Sequence, residues 1–193
     1  VEVTTVSRKS QRLTDTAAAA FVVTADDIQR SGSTSIPEAL RMVPGLEVAR
    51  ASGSRWAVTA RGFNGRFANK LLVLIDGRSA YSPFFSGVFW EAEDVLLEDV
   101  DRIEVIRGPG ATMWGANAVN GVINILTRNA RRTQGGLATA LVGNEGQRTG
   151  AVRWGAQVDE DTHYRLWAKS VRRDSVQASD GTPGADDVDA VRA

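Results

Sequence analysis

Residues 102–128, RIEVIRGPGATMWGANAVNGVINILTR, constrain the fold of this chain more than any other stretch. They open as an alternating strand in which Ile103 and Val105 are set among Arg102, Glu104 and Arg107. The strand breaks at Gly108-Pro109-Gly110, a short segment closes at Gly115, and a β-branched run resumes at Val122-Ile123-Asn124-Ile125. Two strands joined through so many glycines and small polar residues require a compact crossing. Only residues lacking Cβ let backbones pass that close.

Upstream, helix signals come first. Phe21-Val22-Val23 reads as a short strand entering a helix at Thr24, with Asp27 three residues on to complete a capping box and Gly32 to end it. Ser35 is the expected cap of the next helix, with Glu38 at its third position and Pro37 tolerated in the first turn. Ile36, Ala39, Leu40 and Val43 give that helix one apolar face, and Pro44-Gly45 stops it. From Leu46 the period switches to two: Leu46 and Val48, then Trp56, Val58 and Ala60. The run 71–75 is apolar throughout, as in a strand covered on both faces, and Asp76-Gly77 turns it. Short helices followed by strands of mixed spacing predict an α+β unit built on a small mixed sheet.

After Arg128 the pattern changes. Residues 129–136 form a basic, glycine-ended linker. Beyond it Val152, Trp154, Ala156 and Val158 alternate with Arg153, Gly155 and Gln157. Tyr164, Leu166 and Ala168 alternate with Arg165, Trp167 and Lys169, across a polar turn at 159–162. An isolated hairpin of this kind is marginal in water. It fits the opening strands of a transmembrane barrel, apolar toward lipid and polar toward the lumen. Residues 175–193, rich in Asp, Gly and Ala without periodicity, read as a loop or a cut end. A large plugged barrel needs roughly 220 residues in its strands. Only a beginning of one is present.

Composition removes several function classes. The formal charge is zero, so nothing global favours nucleic acid. There is no cysteine and a single histidine, His163, which excludes thiolate chemistry and multi-histidine metal sites. No apolar run approaches the length of a membrane-crossing helix, and no signal peptide stands at the N-terminus, as expected of a mature or trimmed start. The glycine run at 108–110 resembles a phosphate loop only in part, since Met113 stands where GxGxxG needs its last glycine. No GxSxG elbow occurs. The carboxylates Glu91, Glu93, Asp94, Glu98, Asp99 and Asp101 read as a solvated or wall-facing acidic face rather than an acid/base pair. No enzyme activity and no cofactor are expected.

The wording of several segments, in order, resembles the plug domain of TonB-dependent outer-membrane transporters. The IRGP element at 106–109 is followed by a WG step at 114–115 and an NGVINI strand at 120–125. Before it come TADDI (24–28), SIPEAL (35–40), VPGLEV (43–48), ARGF (60–63) and LVLIDG (72–77). This resemblance implies a mobile N-terminal segment at 1–20, a plug at 21–128, the linker at 129–136, first barrel strands at 137–174 and a loop or truncated end at 175–193. It places the chain in the bacterial outer membrane, the plug inside the barrel lumen.

In that family an arginine of the RGF element and one of the RGP element pair with barrel glutamates and lock the plug. The matching residues are Arg61 and Arg107. Apical loops touch the ligand, and the matching stretches contain Arg55, Trp56, Asn64, Arg66, Phe67, Tyr81, Phe84 and Phe85; the phenylalanines have a second reading as seals against the barrel wall. A TonB box pairs as a strand with periplasmic TonB, and Glu2-Val3-Thr4-Thr5-Val6 resembles one. The implied ligand is a ferric siderophore, with cobalamin as the alternative. A different class stays open beside it: a stand-alone soluble periplasmic binding or adaptor module, in which the strands after Gly136 fold onto the first sheet as an edge.

Overall fold

The computed structural model describes residues 2–5, 11–12, 19–62, 65, 70–82, 84, 86–108, 114–115, 117–144, 146–175 and 184–193. The chain divides into two compact units, Val1–Ala49 with Trp56–Thr127, and Arg50–Arg55 with Arg128–Ala193.

In the first unit, β1 (Glu2–Val3) pairs antiparallel with β2 (Gln11–Arg12). Then follow β3 (Ala19–Thr24), α1 (Ala25–Ser31), α2 (Ile36–Leu40), β4 (Leu46–Arg50), β5 (Trp56–Ala60), β6 (Leu71–Ile75) and β7 (Arg78–Ser79). After these come β8 (Tyr81–Ser82), β9 (Gly87–Val88), β10 (Val100–Arg107) and β11 (Gly121–Thr127). A five-stranded mixed sheet runs in the order β3-β10-β11-β6-β7. Strand β10 is antiparallel to both β3 and β11, whereas β11 and β6 are parallel. The expected α+β architecture on a small mixed sheet is what forms.

Local chemistry explains the helix starts. The Thr24 hydroxyl accepts from the Asp27 N–H, and the Asp27 carboxylate accepts from the Thr24 N–H, a complete capping box. The second helix departs from expectation. Ser35 makes no capping bond and its hydroxyl is buried without a partner, while Glu38 reaches back to the N–H and hydroxyl of Thr34, at 2.7 Å each. Glu38 therefore satisfies the donor one residue further out, and Ser35 is left in the packed turn.

The sheet has two different faces. Val23, Ile103, Val105, Ile123, Ile125 and Val73 pack with Ile28, Ile36, Leu40, Trp56 and Val58 into the main core. The opposite face joins Leu72, Leu74, Ile106 and Val122 with Ala118 and Trp114. It also carries Glu104 and Asn124, cross-strand partners on β10 and β11 and both buried. Strands β5 and β6 are buried along their whole length, β5 despite its alternating sequence. The crossing read from the glycines is present: a Cβ on Gly121 would collide with the carbonyl of Ile106.

The second unit is a four-stranded antiparallel meander of β12 (Gly135–Val142), β13 (Arg148–Gln157), β14 (His163–Arg173) and β15 (Val188–Arg192). The basic linker shortens to a single 3-10 turn at Ala130–Arg132 before β12 begins. The segment read as a loop ends in β15, which its five residues were too few to announce by periodicity. The four strands of the meander pair with one another in the order β12-β13-β14-β15.

Candidate functional site

Arg61 and Arg107 lie at one end of the five-stranded sheet because Asn120 ties that end together. The Asn120 side-chain amide donates to the Ala60 carbonyl at 3.0 Å, its N–H to the Lys70 carbonyl at 2.8 Å, and its own carbonyl accepts from the Gly108 N–H at 2.9 Å. The ends of β5, β6 and β10 are thereby fixed to one residue that the sequence reading did not single out. Arg61 leaves β5 in the left-handed region, φ 61°, and is exposed. Its Nη2 stands 3.8 Å from where a Cβ on Gly108, the residue after Arg107, would lie. The Arg107 guanidinium lies along Gly45, where a Cβ would come within 2.9 Å of Nη1 and where φ is 79°. Only glycine fits there. Arg107 Nε is buried without a hydrogen-bond partner, leaving part of a fork that matches a carboxylate open.

The residues expected to contact ligand fall into three groups. Asn64, Arg66, Phe67 and Phe85 lie outside the described residues. Arg55 is exposed at the tip of the β4–β5 hairpin, its carbonyl accepting from Ala51 N–H at 2.8 Å. Tyr81 is half-buried opposite Val88, and Phe84, 91 % exposed, caps the β8–β9 hairpin. Trp56 is a correction. At 5 % exposure it belongs to the main core, with the Arg41 guanidinium 5.2 Å from its ring centre. Its place as the first residue of a strand buried on both faces, rather than the last of a loop, puts it there.

The acidic stretch is not uniformly solvated. Glu93 pairs with Arg78 at 3.1 Å and Asp101 with Arg102 at 2.8 Å, but Asp99 is buried.

The N-terminal residues give the densest polar constellation. Val3 and Thr5 are each 1 % exposed, so residues 2–5 are docked, in contrast to the mobile segment expected; Val6 lies outside the described residues. The Glu104 carboxylate accepts from the backbone N–H of Thr4 at 2.8 Å and of Thr5 at 2.7 Å. It also accepts from the Thr5 hydroxyl at 2.6 Å and from Arg102 Nε at 2.8 Å. Asn124 Nδ2 donates to the Thr5 hydroxyl at 3.0 Å, and Trp114 Nε1 donates to the Thr5 carbonyl at 2.9 Å. Burial pushes the Glu104 carboxyl up, but the hydrogen bonds from Thr5, Thr4 and Arg102 together outweigh it and hold the group below the usual glutamate range. No sequence signal links residues about a hundred positions apart.

One face of the meander is apolar and exposed along most of its length, with Arg148, Arg172 and Asp189 at one end, and the other mixes cations with Leu137, Leu141, Trp167 and Val171. Ala138, Val152 and Ala168 sit opposite one another across β12, β13 and β14, as do Trp154 and Leu166; Leu166 is 67 % exposed and Val152, Trp154 and Val191 are also exposed. The other face carries Arg153, Lys169, Arg173 and Arg192. Lys169 and Arg173 are buried, and Arg173 Nη1 donates to the Gly53 carbonyl at 2.6 Å.

A family model described as the TonB-dependent receptor plug domain matches residues 12–122. The chain is 30 % identical over 148 residues to a vitamin B12 transporter, BtuB, of Vibrio vulnificus. That match takes in 76 % of the chain but 23 % of the relative, so the chain spans about a quarter of the length of such relatives. Its fold is similar to the pyoverdine outer membrane receptor FpvA of Pseudomonas aeruginosa PAO1, with TM-score 0.71, 20 % identity, and 91 % of this chain and 25 % of that one covered. It is also similar to the alcaligin outer membrane receptor FauA of Bordetella pertussis, with TM-score 0.70, 22 % identity, and coverage of 90 % and 29 %.

Proposed function

The chain belongs to the TonB-dependent receptor plug family, and from that premise we propose that it gates an outer-membrane active transporter from within the barrel lumen. The observation that carries this reading is the inverted polarity of the meander. Its exposed face is apolar along Val152, Trp154, Leu166 and Val191, and Arg153, Lys169, Arg173 and Arg192 lie on the other, as in a barrel wall between lipid and a wet lumen; Arg148 and Arg172 share the apolar face only where β13 begins and β14 ends. Arg61 and Arg107, gathered at one sheet end with Arg107 Nε unpartnered, are the electrostatic lock, each reaching for a wall carboxylate.

Arg55, Tyr81 and Phe84 are the described candidates for ligand contact, while the burial of Trp56 argues for a scaffold role instead. The cargo is a ferric siderophore. Cobalamin is the second reading, favoured by the name of the Vibrio vulnificus relative. TonB engages residues 2–6 by strand addition, and the chain performs no covalent chemistry.

The test is uptake by the full natural reading frame in cells lacking their own receptors, supplied with a panel of labelled ferric siderophores and cyanocobalamin. Accumulation that stops when TonB is deleted supports the proposal and names the cargo. Absence of TonB-dependent accumulation for every compound overturns it.

A further inference from the structure

The turn of the β4–β5 hairpin belongs to a different unit from the strands that carry it. Arg50–Arg55 goes with the meander, whereas β5 and most of β4 go with the first unit. At the centre of the turn Gly53 is buried, while Ala51 and Arg55 on either side of it are exposed. A buried residue must find partners for its backbone N–H and carbonyl. Gly53 finds both in charged side chains. Its N–H donates to Asp186 Oδ2 at 2.7 Å, and its carbonyl accepts from Arg173 Nη1 at 2.6 Å.

Strand register sets the spacing of these two groups. Arg173, the last residue of β14, pairs with Val188, the first of β15, and Asp186 lies two residues ahead of Val188. A cation and a carboxylate are thereby held at neighbouring strand ends, one for each polar group of a single residue. Bonds assisted by charge in this way are stronger than neutral ones. The fit admits only glycine, because a Cβ on Gly53 would collide with the Asp186 carbonyl.

What these groups hold is a turn with little stiffness of its own. Ala51-Ser52-Gly53-Ser54 contains no proline and no β-branched residue, a composition that samples many conformations when unrestrained. Beyond Gly53 the turn closes at Arg55, whose carbonyl accepts from the Ala51 N–H at 2.8 Å. Fixing Gly53 therefore fixes the backbone from which the Arg55 side chain projects. A binding residue ordered in advance loses less entropy when its ligand arrives.

We propose that Arg173 and Asp186 are positioning residues for Arg55. They clamp Gly53 and hold the β4–β5 turn in the shape that presents the Arg55 guanidinium to an anionic group of the cargo. The cargo contact of Arg55 rests on the transporter reading above; the clamp itself does not.

The absence of cysteine permits site-directed spin labelling of the full-length protein. A nitroxide at Arg55→Cys reports the turn, and one at Val152→Cys, within β13, reports the meander. Each is combined with Arg173→Met, Asp186→Ala and Gly53→Ala, the last of which spoils the fit while leaving both charges in place. The expected result is a severalfold shorter rotational correlation time at position 55 in all three, with position 152 unchanged. Position 55 unchanged in all three overturns the clamp. So does an equal change at position 152, since Arg173 and Asp186 would then hold the meander and not the turn.

The positioning role is read in uptake of the panel of labelled ferric siderophores and cyanocobalamin. Gly53→Ala is expected to raise the half-saturating concentration of the accumulated compound about tenfold, as Arg55→Ala does, and the double variant to be no worse than Arg55→Ala alone. Additive effects overturn the action through Arg55. If the parent accumulates no compound of the panel, the transporter reading fails and the cargo contact with it, while the correlation times still decide the clamp.

Discussion

Two backbone N–H groups, two hydroxyls and a guanidinium converge on Glu104, and the energetic sign of that arrangement follows from its protonation. The ionised carboxylate accepts from all five donors, so the folded protein holds its proton more weakly than the unfolded chain. A group whose folded pKa is depressed contributes stability that is present above the unfolded value and is lost as pH falls through the folded one. Local stability of residues 2–5 and of β10 is therefore expected to fall as the medium is acidified below the ordinary glutamate range. Glu104→Gln removes that pH dependence. Hydrogen exchange of the Thr4 and Thr5 amides between neutral and acid pH reads both effects, corrected for intrinsic exchange. Glu104→Ala leaves those amides without their acceptor and Arg102 with Asp101 as its remaining carboxylate, and costs about 3 kcal/mol at neutral pH, measured as the change in opening free energy at the same amides. At the other arginine cluster, Gly45→Ala is strained by its φ and by the guanidinium of Arg107 beside it. In the full-length protein it raises leakage of bulky solutes through the pore if Arg107 locks the plug. Permeability equal to the parent's removes that role from Arg107.

The two helix starts make a controlled comparison at the scale of elements. Thr24→Ala loses a complete capping box and costs about 1 kcal/mol. Ser35→Ala, at what sequence alone marks as an equivalent cap, is neutral or slightly stabilising, because its buried hydroxyl has no partner to lose. Denaturation midpoints of the two variants, with Glu38→Ala as the predicted destabiliser of the second helix, distinguish these outcomes. The contrast shows what the sequence made legible. The Thr24-Asp27 box is local, so its residue types and spacing sufficed. The Thr34-Glu38 cap uses the same kinds of residues one position out, and choosing between them needs the path of the turn. The uniformly apolar β6 disclosed its burial on both faces, whereas β5 alternates and is buried all the same, since what covers it comes from elsewhere in the chain. That cover is why Trp56 was read as a loop aromatic. The docking of Thr5 on Glu104 joins residues 99 positions apart and had no local signature at all.

For the whole molecule, the decisive question is what the exposed face of the meander meets. Alternation in β13 and β14 predicted two unlike faces, and the register shows which residues share them, Leu166 lying opposite Trp154 with its side chain outward. In water, an exposed leucine contributes little to stability, and an arginine in its place is tolerated within about 0.5 kcal/mol while improving solubility. In a bilayer the same arginine costs about 2–4 kcal/mol near the midplane. Leu166→Arg thus carries opposite expectations for the two environments, and Leu166→Ala separates charge from loss of bulk. In the full-length protein, the amount of heat-modifiable, folded barrel recovered from outer membranes is expected to drop for Leu166→Arg and to stay close to the parent for Leu166→Ala. If both variants match the parent, the face is wet, the barrel-wall reading of the meander is lost, and the transport proposal loses the observation that carries it. If only the arginine variant fails, the exposed face meets lipid, and the cations on the opposite face stand toward an aqueous lumen.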